Sequence, residues 1–231
     1  MKLSENFSKD EWLSKIIGKQ TYVYKNHNNI ELDLPKKTQF SYIKINKKEK
    51  KKIQIIKKKK FEFINYNITF EKKIIKNSNK KNNNNNIRLA TIKDKKKIQK
   101  IAFNNFNQSR FNLDKKLKKK SKLVKSEWVS NYFKKKRGDA LFLIENNKVI
   151  AGFVLLIFNK QNLIIDLIVI DLKYQREGMG VQLINFLQAF YYKRFKKIIV
   201  GTQSNNKASL KFYKRNKFRI FKTEMVFHKH F

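Results

Sequence analysis

Cysteine is absent from the chain, which excludes disulfides and thiolate chemistry and leaves the redox compartment open. Proline occurs once and glycine only six times, so the few glycines are worth locating. No apolar run of about eighteen residues exists, and no transmembrane helix is expected. Met1-Lys2-Leu3-Ser4-Glu5-Asn6 lacks the apolar stretch of a signal peptide, so cytoplasm is the default expectation. Acidic residues are scarce as well: 17 Asp+Glu stand against 56 Lys+Arg, a formal charge of +39 over 231 residues. A chain of this length buries a real core, as one large domain or two small ones.

The excess is almost all lysine, accompanied by asparagine and isoleucine. Taken alone, such a balance is the footprint of a nucleic-acid or anionic-surface binder. Lys, Asn and Ile are, however, the residues of A/T-rich codons, and the lysines are spread through the chain rather than gathered on one segment. Composition is therefore the favoured explanation over a nucleic-acid partner. A diffuse positive field still attracts phosphorylated substrates and coenzymes.

Residues 1–76 read as a small α/β unit. Glu11 to Gly18 opens it, Thr21 to Tyr24 and Phe40 to Ile45 are strands, and Lys47 to Lys60 is a lysine-rich helix. Phe61 to Phe70 alternates with the period of a strand. Residues 77–86 carry no apolar side chain and read as a linker, marking a domain boundary. Beyond it, Ile87 to Ala90 is a strand and a helix begins near Asp94, with Phe106 at its end. Ser109 to Asp114 reads as a loop, and Ser121 as the cap of a helix carrying Val124, Trp128, Tyr132 and Phe133. Ala140 to Ile144 and Val149 to Phe158 are strands joined at Asn146-Asn147. Lys197 to Gln203 is a strand, Asn206 to Arg215 a short helix, and Phe218 to Phe231 one long strand or a strand pair.

The stretch from Leu163 to Phe195 organises the rest. Leu163 to Ile170 is apolar enough for a buried strand, and Leu183, Ile184, Leu187 and Tyr191 recur at helical spacing. Between them lies Gln175-Arg176-Glu177-Gly178-Met179-Gly180, which holds two of the six glycines. A strand running through such a turn into a helix aims backbone N–H groups and the positive end of the helix dipole at an anion. The pattern is neither the dinucleotide fingerprint nor a Walker loop. Gln-x-x-Gly-x-Gly in this setting resembles the acyl-CoA pyrophosphate loop of the GNAT acetyltransferase superfamily. Asn206 through Tyr213 to Phe218 resembles that superfamily's late motif, with Lys217 where glycine is usual. The expected fold is α/β (α+β): a central mixed twisted sheet flanked by helices over residues 87–231, with a smaller N-terminal α/β domain.

Further stretches resemble the TDP-fucosamine acetyltransferases and related nucleotide-amino-sugar N-acetyltransferases. They are Trp12-x-Ser14 with Gly18, Ile64 to Lys72, Ser109-Arg110-Phe111-x-x-Asp114, Trp128, Ala151-Gly152-Phe153 and Ile165 to Val169. That resemblance implies acetyl-CoA as co-substrate, lying along Ile168, Val169 and Ile170. Its pyrophosphate would rest on Gln175, Arg176, Glu177, Gly178, Met179, Gly180 and Val181, with Asn206 touching the coenzyme. It implies Tyr213 as the acid that protonates the leaving thiolate. The sugar nucleotide would lie between the two domains, near Arg110, Asn65, His228 and His230. At Asn65 the family usually has a carboxylate, and an amide cannot serve as a base. Asp166, a lone carboxylate in an apolar strand, is the candidate to orient or deprotonate the amine, since burial raises a carboxyl pKa. His228 and His230 share a strand face and could ligate metal, but no third ligand is evident and the chemistry needs none. Two rival readings stand beside N-acetylation of a nucleotide-linked deoxy-amino sugar. One is a GNAT enzyme for a protein N-terminus or polyamine; the other is a non-catalytic basic RNA- or ribosome-associated module. Homodimer formation is left open.

Overall fold

The structure is a computed structural model and describes residues 6–25, 34–75, 86–105 and 108–231. In chain order the elements are β1 (Phe7–Lys9), α1 (Glu11–Ile17), β2 (Thr21–Tyr24), β3 (Phe40–Asn46), α2 (Lys50–Lys58) and β4 (Glu62–Lys73). Then follow β5 (Ile87–Leu89), α3 (Lys95–Asn105), α4 (Arg110–Leu113), α5 (Ser121–Phe133), β6 (Ala140–Asn146), β7 (Val149–Asn159) and β8 (Asn162–Ile170). The chain closes with α6 (Met179–Tyr191), β9 (Lys197–Gln203), α7 (Lys207–Arg215) and β10 (Arg219–His230).

Local chemistry accounts for the element ends. Asp10 caps α1 by accepting from the Leu13 amide at 2.9 Å, and Gly18 ends that helix at φ 71°. The β6–β7 hairpin turns on Asn147 and Lys148, at φ 48° and 63°. This is one residue later than Asn146-Asn147, because the tight turn needs positive φ at both central positions. Residues 109–114 are not a loop: α4 forms behind a capping box in which Ser109 and Asn112 serve each other's backbone N–H. Ser121 does not cap α5. A 3₁₀ turn over Lys118–Lys120 leads straight into the helix, and the Ser121 hydroxyl donates back to the Lys118 carbonyl at 2.7 Å. Phe218 onward forms one long strand. The end of α3 at Phe106 and most of the Asn/Lys-rich segment, residues 77–85, lie outside the described residues.

All ten strands form one mixed sheet in the order β1-β2-β3-β10-β4-β9-β8-β7-β6-β5. Pairing is antiparallel except for β2–β3 and β8–β9. β10 returns from the C-terminal end to lie between β3 and β4, so strands from both sides of residue 77 share one sheet. The division at 77–86 is accordingly proposed as one between sequence modules. Helices α2, α6 and α7 cover one face, through clusters that include Ile53 and Ile56, Leu183, Ile184 and Leu187, and Tyr213. Helices α1, α3, α4 and α5 cover the other, through Leu13 and Ile17, Ile98 and Ile101, Phe111, and Val124 and Val129. Among the described residues no helix is long and apolar enough to cross a membrane.

A bulge in β8 decides what that strand offers to each face. Leu167 pairs with Leu155 and Ile165 with Leu156, leaving Asp166 as the extra residue. The side-chain alternation flips there. Leu163 and Ile165 belong to the α6 cluster, whereas Leu167 and Val169 join the α3/α5 cluster and Ile168 and Ile170 take over the α6 side.

Candidate active site

The β8–β9 ladder runs from Asn162↔Lys197 to Ile165↔Val200 and stops, although β8 continues to Ile170 and β9 to Gln203. The carboxyl ends of two parallel strands therefore stand unzipped at mid-sheet. That is where open α/β sheets receive ligands. The inner backbone edge beyond the break, which includes Ile168, Val169 and Ile170, is not used in a β8–β9 ladder.

The loop that follows β8 is pinned and then left open. Gln175 donates its side-chain amide to the Ile170 carbonyl at 3.0 Å, which holds the loop against the strand end. Arg176 and Gly178 take positive φ, 72° and 78°, a pattern that turns successive N–H groups toward one concave side. Among the described residues the backbone N–H groups of Arg176, Glu177, Gly178, Met179 and Gly180 donate to no acceptor. Val181 differs: its N–H already donates to the Gly178 carbonyl at 2.9 Å, so it drops out of the expected anion-binding row. Met179 is buried and anchors the start of α6 in the core. A side chain at Gly178 would meet nothing within 4 Å, while one at Gly180 would come within 3.1 Å of the Phe212 ring of α7. Glycine at position 180 thus lets the loop and α7 approach each other.

That approach sets Tyr213 beside the loop helix. Tyr213 is 3% exposed, packed against Phe70, Phe212 and Phe218, and burial raises its pKa. Its hydroxyl stays protonated across ordinary pH, as a proton donor must. Asn206 caps α7, accepting from the Ser209 amide at 3.1 Å. One lone pair of its side-chain oxygen is thereby used, and its NH₂ group donates to no protein acceptor among the described residues.

On the opposite face, Asp166 does not have the raised pKa that the sequence suggested for a base. Burial alone would raise its pKa, but Arg137 grips both oxygens at 2.6 Å and Trp128 and Tyr132 donate at 2.6 and 2.8 Å. The donors win and the pKa is lowered. Asp166 is a structural anchor that ties β8 to α5 and to the turn after it. Arg137 was invisible in the sequence because it lies in no periodic segment.

Arg110 and the two histidines do come together. His228 is 1% exposed on its side chain, and its Nδ1 lies 2.7 Å from Asp114 Oδ2, with Nε2 3.0 Å from Arg110 Nη1. A guanidinium only donates, so His228 Nε2 accepts and its Nδ1–H donates to Asp114. Burial lowers the His228 pKa to about 4, with Asp114 opposing and Arg110 assisting. His230 Nε2 reaches the same Asp114 oxygen at 2.8 Å. Burial raises the Asp114 pKa, yet the two imidazole hydrogen bonds bring it to about 2. Arg110 lies 3.9 Å from the Tyr42 ring centroid and has no carboxylate ion pair among the described residues. Lys44 and Lys125 share this neighbourhood. Surrounding protein and the Arg110 charge lower each to about 8, with Asp166 opposing at Lys125. The histidines thus orient an arginine, and no cluster of His, Asp and Glu among the described residues is arranged to hold a metal.

Asn65, 4% exposed, faces the same side from β4. Its amide donates to Gln203 of β9, and its carbonyl oxygen is buried without a partner among the described residues. Glu224 of β10, which sequence reasoning passed over, stands nearby through Asn67. Gly201 is exposed and Asn67, Thr69 and Gln203 are half-buried, so this stretch of β4 and β9 forms a partly open floor.

The sequence profile of the acetyltransferase (GNAT) family matches residues 106–218. Among solved structures, a conserved protein of unknown function from Staphylococcus epidermidis superposes with TM-score 0.62 at 12% identity, over 91% of this chain and 84% of that one. A GCN5-related N-acetyltransferase from Sphaerobacter thermophilus gives 0.60 at 11% identity, over 85% of this chain and 62% of that one. A glucosamine N-acetyltransferase region in a fungal multi-domain β-N-acetylglucosaminidase gives 0.59 at 11%, over 84% of this chain and 26% of that one. The chain therefore spans less than two thirds of the length of the latter two. No curated protein matches the sequence. These likenesses show the fold, which is that of the GNAT acetyltransferases.

Proposed function

We propose that this chain, whose residues 106–218 match the profile of the acetyltransferase (GNAT) family, moves an acetyl group from acetyl-CoA to the amine of a nucleotide-linked deoxy-amino sugar. The observation that carries the reading is the row of unused amides from Arg176 to Gly180 beside the unzipped β8–β9 edge. These amides fit the pyrophosphate of a coenzyme, and the free strand edge fits its amide-bearing arm. The acceptor would enter from the open floor on the opposite face. There Arg110, Lys44 and Lys125 supply positive charge for its phosphates, and Tyr42 and Trp128 supply aromatic surface. The fungal fold neighbour, named for glucosamine N-acetylation, supports an amino-sugar acceptor only by analogy.

In this reading the neutral amine attacks the thioester carbonyl, a tetrahedral oxyanion forms, and the C–S bond breaks. Tyr213 gives its proton to the departing thiolate, sparing an anion in a low-dielectric cleft. Asp166 takes no proton; it holds the wall. The test is acetyl transfer to a panel of thymidine- and uridine-diphosphate amino sugars, an N-terminal peptide and a polyamine. Turnover confined to the sugar nucleotides is expected, with Tyr213→Phe lowering kcat by about 10²–10⁴-fold at little change in KM for acetyl-CoA. Turnover only on the peptide or polyamine would replace the acceptor assignment, and full kcat in Tyr213→Phe would remove the acid.

A further inference from the structure

Four side chains form a hydrogen-bonded row across three strands: Asn65 and Asn67 on β4, Gln203 on β9 and Glu224 on β10. Asn65 donates its NH₂ to Gln203 Oε1. Gln203 donates to Asn67 Oδ1 at 3.4 Å, and Asn67 donates to Glu224 Oε2 at 3.3 Å. The register places them together, since Asn67 pairs with Gln203 on one side and Glu224 on the other. Only the carboxylate gives the row a direction. An amide can be turned end for end, but a carboxylate only accepts. The NH₂ of Asn67 must therefore face Glu224. Its oxygen then faces Gln203, which in turn presents its own oxygen to Asn65. What emerges at the far end is an acceptor, Asn65 Oδ1, buried and without a partner among the described residues. A buried carbonyl left unmatched is destabilising, so this oxygen is aimed at a donor that the described residues do not supply.

We propose that Asn65 Oδ1 accepts an N–H of the substrate's amine, and that Glu224 is the positioning residue that keeps this oxygen turned towards it. The inference rests on the N-acetyltransferase reading above. A neutral amine held by one N–H keeps its lone pair free for the thioester, which an ammonium cannot do. Asn65 thus aligns the nucleophile without accepting its proton, and the amine's proton leaves to solvent as the N–C bond forms and the C–S bond breaks. Where a carboxylate at this position would favour the ammonium, an amide oxygen favours either form far less.

The experiment is a double-mutant cycle between Asn65→Asp and Glu224→Gln, read by melting temperature and by kinetics on a thymidine-diphosphate amino sugar. Asn65→Asp alone puts an acceptor at both ends of the row and should lower the melting temperature by about 5 °C. Adding Glu224→Gln lets every amide turn and should restore at least half of that loss. In Glu224→Gln alone the row loses its direction, and KM for the amino sugar should rise about tenfold with KM for acetyl-CoA unchanged. In the double variant an oxygen faces the amine again and KM should recover. Additive melting temperatures would overturn the directional row. Coupled melting temperatures with an acceptor KM within twofold of wild type would overturn the amine contact. No transfer by the wild type would overturn the proposed function and the amine contact with it, while the melting temperatures would still report on the row.

Discussion

Acidification from pH 7 to 5 is expected to cost the fold about 2 kcal/mol through His228 alone. The folded-state pKa is about 4 against an ordinary 6.5. Between those values the unfolded chain carries a proton that the folded chain does not. Stability is then fully present above the unfolded value, falls as pH drops below 6.5, and levels off below about 4. The full span is roughly 3 kcal/mol at about 1.4 kcal/mol per unit, most of it spent by pH 5. Burial is the main cause, and Arg110 adds to it: protonating Nε2 ends its acceptance of the Arg110 N–H at 3.0 Å and sets imidazolium against guanidinium. Asp114, already ionised down to about pH 2, does not change across the interval. Urea unfolding at pH 7, 6 and 5 reads the effect in the wild type and in His228→Gln, which keeps one donor and one acceptor but does not titrate here. The wild type should lose about 2 kcal/mol more than the variant. Equal losses would mean that burial and Arg110 do not hold His228 neutral, and the assigned tautomer would fall.

Two further outcomes follow from the site. Gly178→Val keeps open space around the new side chain but places a β-branched residue at φ 78°, so it should fold with a penalty of about 1–3 kcal/mol. It should also weaken acetyl-CoA binding by about tenfold or more, since its side chain stands over the amide row; calorimetry on folded variant showing unchanged affinity would take the loop out of the coenzyme site. Asp166→Asn should lower stability by about 1–3 kcal/mol, by unmatching Arg137, and should leave the acid limb of the pH–rate profile where it was. A lost acid limb at unchanged denaturation midpoint would restore Asp166 as a base.

Much of the fold was legible because it is local. The strand from Leu163, the helix carrying Leu183 and Leu187, and the Gln175–Gly180 turn follow from period and turn chemistry within a few residues. What escaped was non-local. Nothing in the sequence of β10 says that it inserts between β3 and β4, because both neighbours are separated from it by more than a hundred residues. Asp166 was misread for the same reason. A lone carboxylate in an apolar strand predicts a raised pKa from burial, and only the fold brings Trp128, Tyr132 and Arg137 onto it from 38, 34 and 29 residues away. Asn65, where the resemblance implies a carboxylate, likewise looked like a loss until β10 carried Glu224 to the end of its hydrogen-bonded row.

In a chain with 56 basic and 17 acidic residues, the acidic side chains are the informative ones. Lysine is everywhere and so marks no place. Four carboxylates on which donors or cations converge share one region, while Asp94, held by Arg88 and Thr91, lies at the β5 edge of the sheet. Asp10 accepts from Tyr42 and the Leu13 amide, Asp114 from both histidines, Asp166 from Arg137, Trp128 and Tyr132, and Glu224 from Asn67 while pairing with Lys222. All four lie on the sheet face covered by α1, α4 and α5, around the open floor. Had the charge been organised for a broad nucleic-acid surface, carboxylates would be excluded from that surface and their spacing would carry no geometry. Instead each one fixes a particular polar or aromatic group at the rim or floor of one cleft: Tyr42 beneath Arg110, His228 against Arg110, Trp128 against Arg137, and Asn67 beside Asn65. In the proposed reading, that arrangement orders a small volume for a small polyanionic substrate, and the remaining lysines are a field that would draw such a substrate in.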